Sequence, residues 1–212
     1  MIPAEHPCLS AQAHFRYGRI HLPVAPRCNI RCGYCDRRYD CANESRPGVT
    51  SEVISPEAAL DRVERALRLD SRLRVAGGAG PGEPPANPAT LETLRLVRSR
   101  FPGLLLCLST NGLVLSDALP ELLDCGVSTL TVTVNTRSVV CAGHVYRTVG
   151  GSADAGAMAA FLSAQQEGVA KAAEAGLTVK INTVVIPGFN TGEIEEIACW
   201  AARAGAAVMN LM

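Results

Sequence analysis

Four cysteines lie close together in the segment RCNIRCGYCDRRYDCANESR, residues 27–46, at positions Cys28, Cys32, Cys35 and Cys41. Four thiolates can close one tetrahedral metal site, whereas three leave one iron of a four-iron cluster without a protein ligand. Zinc sites usually pair their cysteines in two CxxC-type turns, and no second such turn follows in this chain. The spacing of the first three cysteines therefore favours an iron–sulfur site that is one ligand short.

The bulk composition limits the setting in which this chemistry takes place. The nine cysteines are an odd number, and the start, MIPAEHPCLS, lacks the apolar core of a signal peptide. A reducing cytoplasm disfavours disulfides, so metal or thiol chemistry best explains the clustered cysteines. The net charge is zero and the apolar runs are strand-sized. We expect a cytoplasmic monomer that binds neither nucleic acid nor a membrane.

Strands and helices alternate along the chain after residue 50, which is typical of right-handed βαβ units and a parallel sheet. The strand-like segments are GRIHLPVAP, LRVAGGAG, LLLCLSTNG, STLTVTVNT, TVKINTVVIPG and AAVMNLM. The helical segments are PEAALDRVERALRL, TLETLRLVRSRF, ALPELLDCG, residues 153–176 and EIEEIACWAARAG. The pattern predicts six strands and five helices in a single α/β domain over residues 1–212.

Four of these strands alternate apolar residues with polar ones. The polar residues are Arg19, His21, Cys107, Ser109, Asn111, Thr131, Thr133, Asn135, Lys180 and Asn182. In a barrel with outer helices, the apolar residues face the helices and the polar residues face the interior. Because buried polar groups need partners, the pattern favours an open, ligand-filled interior. A doubly wound sheet with one partly wet face is the alternative.

The segment CNIRCGYC resembles the CxxxCxxC signature of the radical S-adenosylmethionine (SAM) superfamily, including an aromatic residue, Tyr34, before the last cysteine. The resemblance implies that Cys28, Cys32 and Cys35 hold a 4Fe–4S cluster whose open iron chelates SAM. Reductive cleavage of SAM would then give methionine and a 5′-deoxyadenosyl radical. The resemblance also implies a partial (βα)6 TIM-like barrel, and we expect its last helix to be missing from this chain.

Several other positions match the SAM-binding positions of that superfamily. The segment GAGPGEP, residues 78–84, resembles the glycine-rich motif that contacts the amino group of SAM. The resemblance implies SAM contacts from the ends of successive strands. The candidate residues are Tyr34, Gly80, Gly82, Glu83, Ser109, Asn111, Asn135, Asn182 and Ile186.

Longer segments resemble the radical SAM enzymes that build the nitrogenase cofactor. They include HPCLSAQAHFRYGRIHLPVAP, AGPGEPPAN, LCLSTNGL, VKINTVVIPG and MNLM. That family fuses two 4Fe–4S clusters, inserts a carbon derived from SAM and adds a sulfur, which gives an 8Fe–9S–C cofactor precursor. The resemblance implies iron–sulfur cluster donors and a downstream cofactor carrier or scaffold protein as partners.

The substrate clusters of that family need further ligands, and mixed ligation suits a cluster that must later be released. Candidates for one substrate cluster are Cys8, Cys41, Glu44 and one of two histidines, His21 or His6; Cys107 is the candidate for the other. Residues 1–17 would form a ligand-bearing segment before a barrel at 18–212. Family members carry a further C-terminal CxxC pair. The alternatives are a radical SAM enzyme with another substrate, or an inactive or carrier iron–sulfur fragment.

Overall fold

The computed structural model describes residues 3–36, 41, 52–78 and 80–212 of the chain. Its strands are β1 (Gly18–Leu22), β2 (Ile30–Cys32), β3 (Leu73–Gly78), β4 (Leu105–Thr110), β5 (Val127–Thr133), β6 (Tyr146–Val149), β7 (Thr178–Thr183) and β8 (Val208–Leu211). Its α-helices are α1 (Ala11–His14), α2 (Pro56–Leu69), α3 (Pro88–Arg100), α4 (Leu115–Asp124), α5 (Val139–Val145), α6 (Ala155–Glu174) and α7 (Ile194–Arg203).

The helix boundaries follow from residues that cap the free ends of a helix backbone. Helix α2 starts after Ser55, whose hydroxyl accepts a hydrogen bond from the amide of Ala58, and Pro56 takes its first position. The carboxylate of Asp154 caps α6 in the same way. The chain leaves α6 through Gly176, whose φ of +86° is left-handed backbone that glycine adopts without steric cost.

The main sheet has six parallel strands in the order β1-β3-β4-β5-β7-β8. The five long helices α2, α3, α4, α6 and α7 all contribute to one apolar core, together with the apolar residues of the strands, such as Leu108, Leu130 and Ile181. The helices therefore cover a single face of the sheet. The predicted α/β partial-barrel arrangement is confirmed, and the doubly wound alternative is wrong because that fold needs helices on both faces.

The opposite face of the sheet carries the polar residues that the alternation predicts. Strand pairing places Cys107 beside Gly77 and Thr129, and places Lys180 beside Thr131. Lys180 is 4% exposed. The core beneath the helices and the polar interior thus use alternate residues of the same strands. Within the described residues, no helix combines the length and apolar character needed to span a membrane.

Two short strands form a second sheet that the sequence does not predict. Strand β2, in the cysteine segment, pairs antiparallel with β6, so that Ile30 lies opposite Val149. Helix α5 leads directly into β6 and packs against α6 over a small separate core that contains Cys32, Tyr146 and Phe161. A three-residue strand has no periodicity of its own, and this one is stabilised by a partner over a hundred positions away.

Candidate functional site

The cysteine segment follows β1 and is fixed to the carboxyl end of β4 by Asn111. The Nδ2 of Asn111 donates to the Oδ1 of Asn29 at 2.7 Å and lies 3.8 Å from the Sγ of Cys28. Its own Oδ1 accepts from the amide of Leu113, which holds the side chain in this orientation. One predicted SAM contact therefore touches the first predicted cluster ligand.

Tyr34, the aromatic residue of the cysteine segment, is fixed to the end of β5. The Nδ2 of Asn135 donates to the Tyr34 hydroxyl at 2.7 Å, and its Oδ1 accepts from the amide of Val184 at 2.9 Å. Burial raises the pKa of the Tyr34 phenol, and the nearby Cys32 acts in the same direction. Ile186, another predicted contact, packs with Tyr34 and Cys28 against the small core.

Residues just before and just after β6 form backbone hydrogen bonds with the cysteine segment. The amide of Gly33 donates to the carbonyl of Val145 at 2.7 Å, and the amide of Gly150 donates to the carbonyl of Asn29 at 2.9 Å. A Cβ on Gly33 would lie 3.1 Å from that Val145 oxygen, so this approach favours glycine. Backbone bonds therefore fix the central part of the cysteine segment.

The glycine-rich loop after β3 packs directly onto the chain that leads into the cysteine segment. The amide of Gly82 donates to the carbonyl of Ala25 at 2.7 Å, and that of Glu83 donates to the carbonyl of Arg27 at 2.8 Å. A Cβ on Gly82 would lie 2.2 Å from the Arg27 oxygen. Glycine is therefore required at this position for the contact between the two loops.

Asn87 completes this contact, and the sequence analysis did not identify it. Its Nδ2 donates to the carbonyls of Arg27 and Glu83, both at 2.7 Å. Asn87 precedes Pro88 at the start of α3, a position typical of a helix cap. The side chain instead bridges the two loops, which no local pattern indicates.

Glu83 turns its carboxylate toward the end of β4. One carboxylate oxygen accepts a short hydrogen bond from the Thr110 hydroxyl, and the other accepts from the amide of Asn111 at 2.8 Å. Full burial raises the pKa of Glu83 to about 7, while these two donors act in the opposite direction. The carboxyl group is therefore a structural acceptor whose charge changes near neutral pH.

A small cavity of about 20 Å³ opens at these strand ends. Its walls include Cys41, Gly80, Gly82, Glu83, Ser109 and Asn111. The structure thus brings Cys41 to the pocket of the predicted SAM contacts. Glu44 lies outside the described residues. Asn182 lies on β7, where its strand partners are Thr133 and Asn210, and it is buried in the interior.

The donor chemistry of the cysteine segment fits a three-thiolate cluster. Cys28, Cys32 and Cys35 form no disulfide and lie within eight residues of one segment; Cys32 is buried and Cys35 is exposed. In the part of the chain that the structure describes, no group of three or more Cys, His, Asp or Glu side chains has the arrangement of a metal site. The loop therefore supplies the donors, although their thiols do not meet at one point.

A second cavity, of about 430 Å³, lies toward the amino ends of the strands. Arg19 of β1, Lys180 of β7 and Asn210 of β8 line it together with Cys8, and the Arg19 guanidinium donates to the thiol of Cys8 in a short contact. We call this space the cationic cavity. Burial lowers the pKa of Lys180, and Arg19 adds to the effect, while the thiols of Cys8 and Cys107 oppose it.

The two candidate histidines occupy different parts of the interior. Burial lowers the pKa of His6 to about 4, with further contributions from Arg19 and Lys180. His21 lies with Cys107 against Gly77, where an added Cβ would be 3.5 Å from the His21 ring and 2.9 Å from the Cys107 Sγ. His21 therefore lies beside Cys107, whereas His6 is not among the residues that line the cationic cavity.

Comparison with proteins of known sequence places this site in a family. A family model described as "Radical SAM superfamily" matches residues 22–201. The FeMo cofactor biosynthesis protein NifB of Klebsiella pneumoniae is 45% identical, over 99% of this chain and 46% of that protein. NifB of Chlorobaculum tepidum is 43% identical, over 98% of this chain and 50% of that protein. The chain spans about half the length of these curated relatives.

Comparison with solved structures supports the fold. The crystal structure of Streptococcus suis SuiB aligns with a TM-score of 0.64, covering 92% of this chain and 40% of that chain. At 13% sequence identity, the similarity concerns the fold alone. The family match extends from the end of β1 into α7 and includes the cysteine segment, the glycine-rich loop and the strand ends described above. This chain belongs to the radical SAM superfamily.

Proposed function

We propose that this chain is the radical SAM part of an enzyme of nitrogenase FeMo cofactor biosynthesis. One observation carries the proposal: the CxxxCxxC segment is fixed to the strand ends by Asn111 and Asn135, in a chain that is 45% identical to a NifB protein. The reaction would fuse two 4Fe–4S clusters, insert a carbide derived from SAM and add a sulfur. The product would be the 8Fe–9S–C precursor.

Cys28, Cys32 and Cys35 would hold the SAM-binding cluster through their thiolates. When bound, such a cluster supplies the electron for reductive cleavage of SAM. Asn111 orients the first of these cysteines, since its amide reaches both Cys28 and Asn29. The backbone hydrogen bond from the Gly33 amide to the Val145 carbonyl fixes the turn between the second and third cysteines.

SAM would bind at the strand ends around the small pocket beside the cysteine segment. Gly80, Gly82 and Ser109 line this pocket, so the glycine-rich loop and the end of β4 can present polar groups to the amino acid part of SAM. Ile186 packs against the same small core as Tyr34 and offers an apolar surface, which suits an adenine ring. Asn135 and Asn182 would complete the polar wall at the ends of β5 and β7.

The substrate clusters would be bound in the polar interior by cysteine, glutamate and histidine side chains. Cys8, Cys41, Glu44 and a histidine, either His21 or His6, would hold one cluster, and Cys107 would contribute to the other. Because Cys8 lines the cationic cavity and Cys41 lines the pocket at the carboxyl ends of the strands, binding that one cluster would require the two thiols to move together. The proximity of His21 to Cys107 and of Cys8 to Lys180 supports an interior location. Iron–sulfur cluster donors and a downstream cofactor carrier or scaffold protein would be its partners.

Anaerobic reconstitution with iron and sulfide, followed by incubation with SAM and a reductant, tests this function. The proposal expects about eight iron atoms or more per chain, together with formation of 5′-deoxyadenosine. About four iron atoms per chain with intact SAM cleavage would contradict the multi-cluster reaction and favour another substrate. Iron binding without SAM cleavage would indicate a carrier.

A pair of cysteine variants separates the two sets of ligands. Cys28→Ala should abolish SAM cleavage, because it removes a thiolate of the three-cysteine set. Cys107→Ala should keep SAM cleavage and lose part of the iron. Loss of SAM cleavage in Cys107→Ala, with the fold intact by circular dichroism, would show that the ligand sets are assigned wrongly. Cys125→Ala, at a buried thiol of the outer core, is the matched control.

A further inference from the structure

Two positive side chains line the cationic cavity, Arg19 of β1 and Lys180 of β7, and Lys180 is 4% exposed. Burying a cation costs free energy unless an opposite charge or several acceptors compensate for it.

The described residues supply little negative charge to this cavity. No Asp or Glu among them forms an ion pair with Arg19 or Lys180. The groups that raise the pKa of Lys180 are the thiols of Cys8 and Cys107. Arg19 and Lys180 therefore line a space large enough for a ligand without a carboxylate partner among the described residues.

We infer that the cationic cavity is an anion-binding site in which Arg19 and Lys180 donate hydrogen bonds to a bound anion beside Cys8. Two anions share this chemistry: a free inorganic oxyanion, and an anionic iron–sulfur cluster whose sulfides accept N–H groups. The identification of the second source rests on the proposed function.

The probe for a free oxyanion is sodium sulfate, titrated calorimetrically at constant ionic strength against the full chain and three variants. Lys180→Met and Arg19→Gln should each weaken sulfate binding about tenfold, the effect of losing one charge-assisted hydrogen bond. Lys171→Met is the matched control, because Lys171 lies outside the cavity on α6 and pairs with Glu167. It should bind sulfate as the wild type does. Circular dichroism confirms that each variant is folded.

A second experiment tests whether the bound anion is an iron–sulfur cluster. If sulfate does not bind, the retained iron after anaerobic reconstitution should fall in Lys180→Met and Arg19→Gln but not in Lys171→Met. The inference is overturned if neither sulfate affinity nor retained iron differs between the cavity variants and the control. SAM cleavage is measured in the same samples. A chain that fails to cleave SAM yet binds sulfate through Lys180 would contradict the proposed function and leave the anion site standing.

Discussion

The two ends of the sheet interior differ in how their polar side chains are satisfied. At the carboxyl ends, Glu83, Asn111 and Asn135 each bridge two elements through short hydrogen bonds. In the cationic cavity, Arg19 and Lys180 have no carboxylate ion pair among the residues described. The polar groups at the carboxyl end thus satisfy one another's hydrogen bonds. The charged groups of the cationic cavity, in contrast, contribute fully to the stability of the fold only when an anion is bound. Mutations should therefore have opposite effects at the two ends.

The largest effect is expected where the two loops of the carboxyl end meet. Gly82→Ala would place a methyl group 2.2 Å from the carbonyl oxygen of Arg27, so the backbone contact must break. We expect the free energy of unfolding to fall by about 3 kcal/mol or more. Urea unfolding followed by circular dichroism measures it. Gly103→Ala is the control, since nothing lies within 4 Å of its added Cβ. Equal losses in both variants would refute the special role of this contact.

The second-largest effect on the free energy of unfolding is expected from the titration of Glu83. Its pKa rises from 4.5 to about 7 in the folded chain, so the folded state binds more protons than the unfolded state between these values. The stability from Glu83 is therefore complete below pH 4.5 and declines by about 3 kcal/mol as the pH rises to 7. Glu83→Gln should remove this decline. Urea unfolding of both proteins from pH 5 to pH 8 measures it, and parallel pH profiles would contradict the assignment.

An intermediate loss of stability is expected where Asn135 joins the cysteine segment to the end of β5. Asn135→Ala removes the bonds to Tyr34 and to the amide of Val184, and it should cost about 2 kcal/mol. Tyr34→Phe removes only the first bond and should cost about half as much, near 1 kcal/mol. Amide hydrogen exchange at Gly33 should speed up in both variants. Unchanged exchange would show that Asn135 does not hold the cysteine segment.

The smallest change in stability is expected in the cationic cavity, where a substitution should stabilise the fold. Lys180→Met replaces a buried cation by an apolar side chain of similar length, and it should raise the stability by about 1 kcal/mol without added anion. Saturating sulfate should reduce that advantage, since only the wild type gains from the full anion site. Thermal unfolding with and without sulfate measures the difference. Destabilisation by Lys180→Met would remove the contrast between the two ends, and Lys171→Met should show no measurable change.

The sequence predicts the outer shell of this fold well, because each signal there is local. Helix α2 coincides with PEAALDRVERALRL, since Ser55, Pro56 and the apolar spacing lie within one segment. The alternation of Leu130 and Val132 with Thr131 likewise fixes which face of β5 meets the helices. These features depend on neighbours that are two to four residues away.

The parts that the sequence did not predict depend on distant neighbours. Asn87 bridges two loops, and β2 has only three residues, so neither carries a periodic pattern. The pairing of Arg19 with Lys180 around one cavity likewise depends on where β1 and β7 lie in the sheet. The residue types at the site could be named from the sequence, but their partners required the structure.

The placement of all five long helices on one face of the sheet has an evolutionary consequence. The outward residues of each strand, such as Leu108 and Ile181, carry the apolar core, and the inward residues, such as Ser109 and Lys180, contribute nothing to it. Inward positions outside the hydrogen bonds of the carboxyl end can therefore accumulate substitutions without unfolding the chain. A lineage can retune what the interior binds one residue at a time while selection on the outer layer keeps the protein folded.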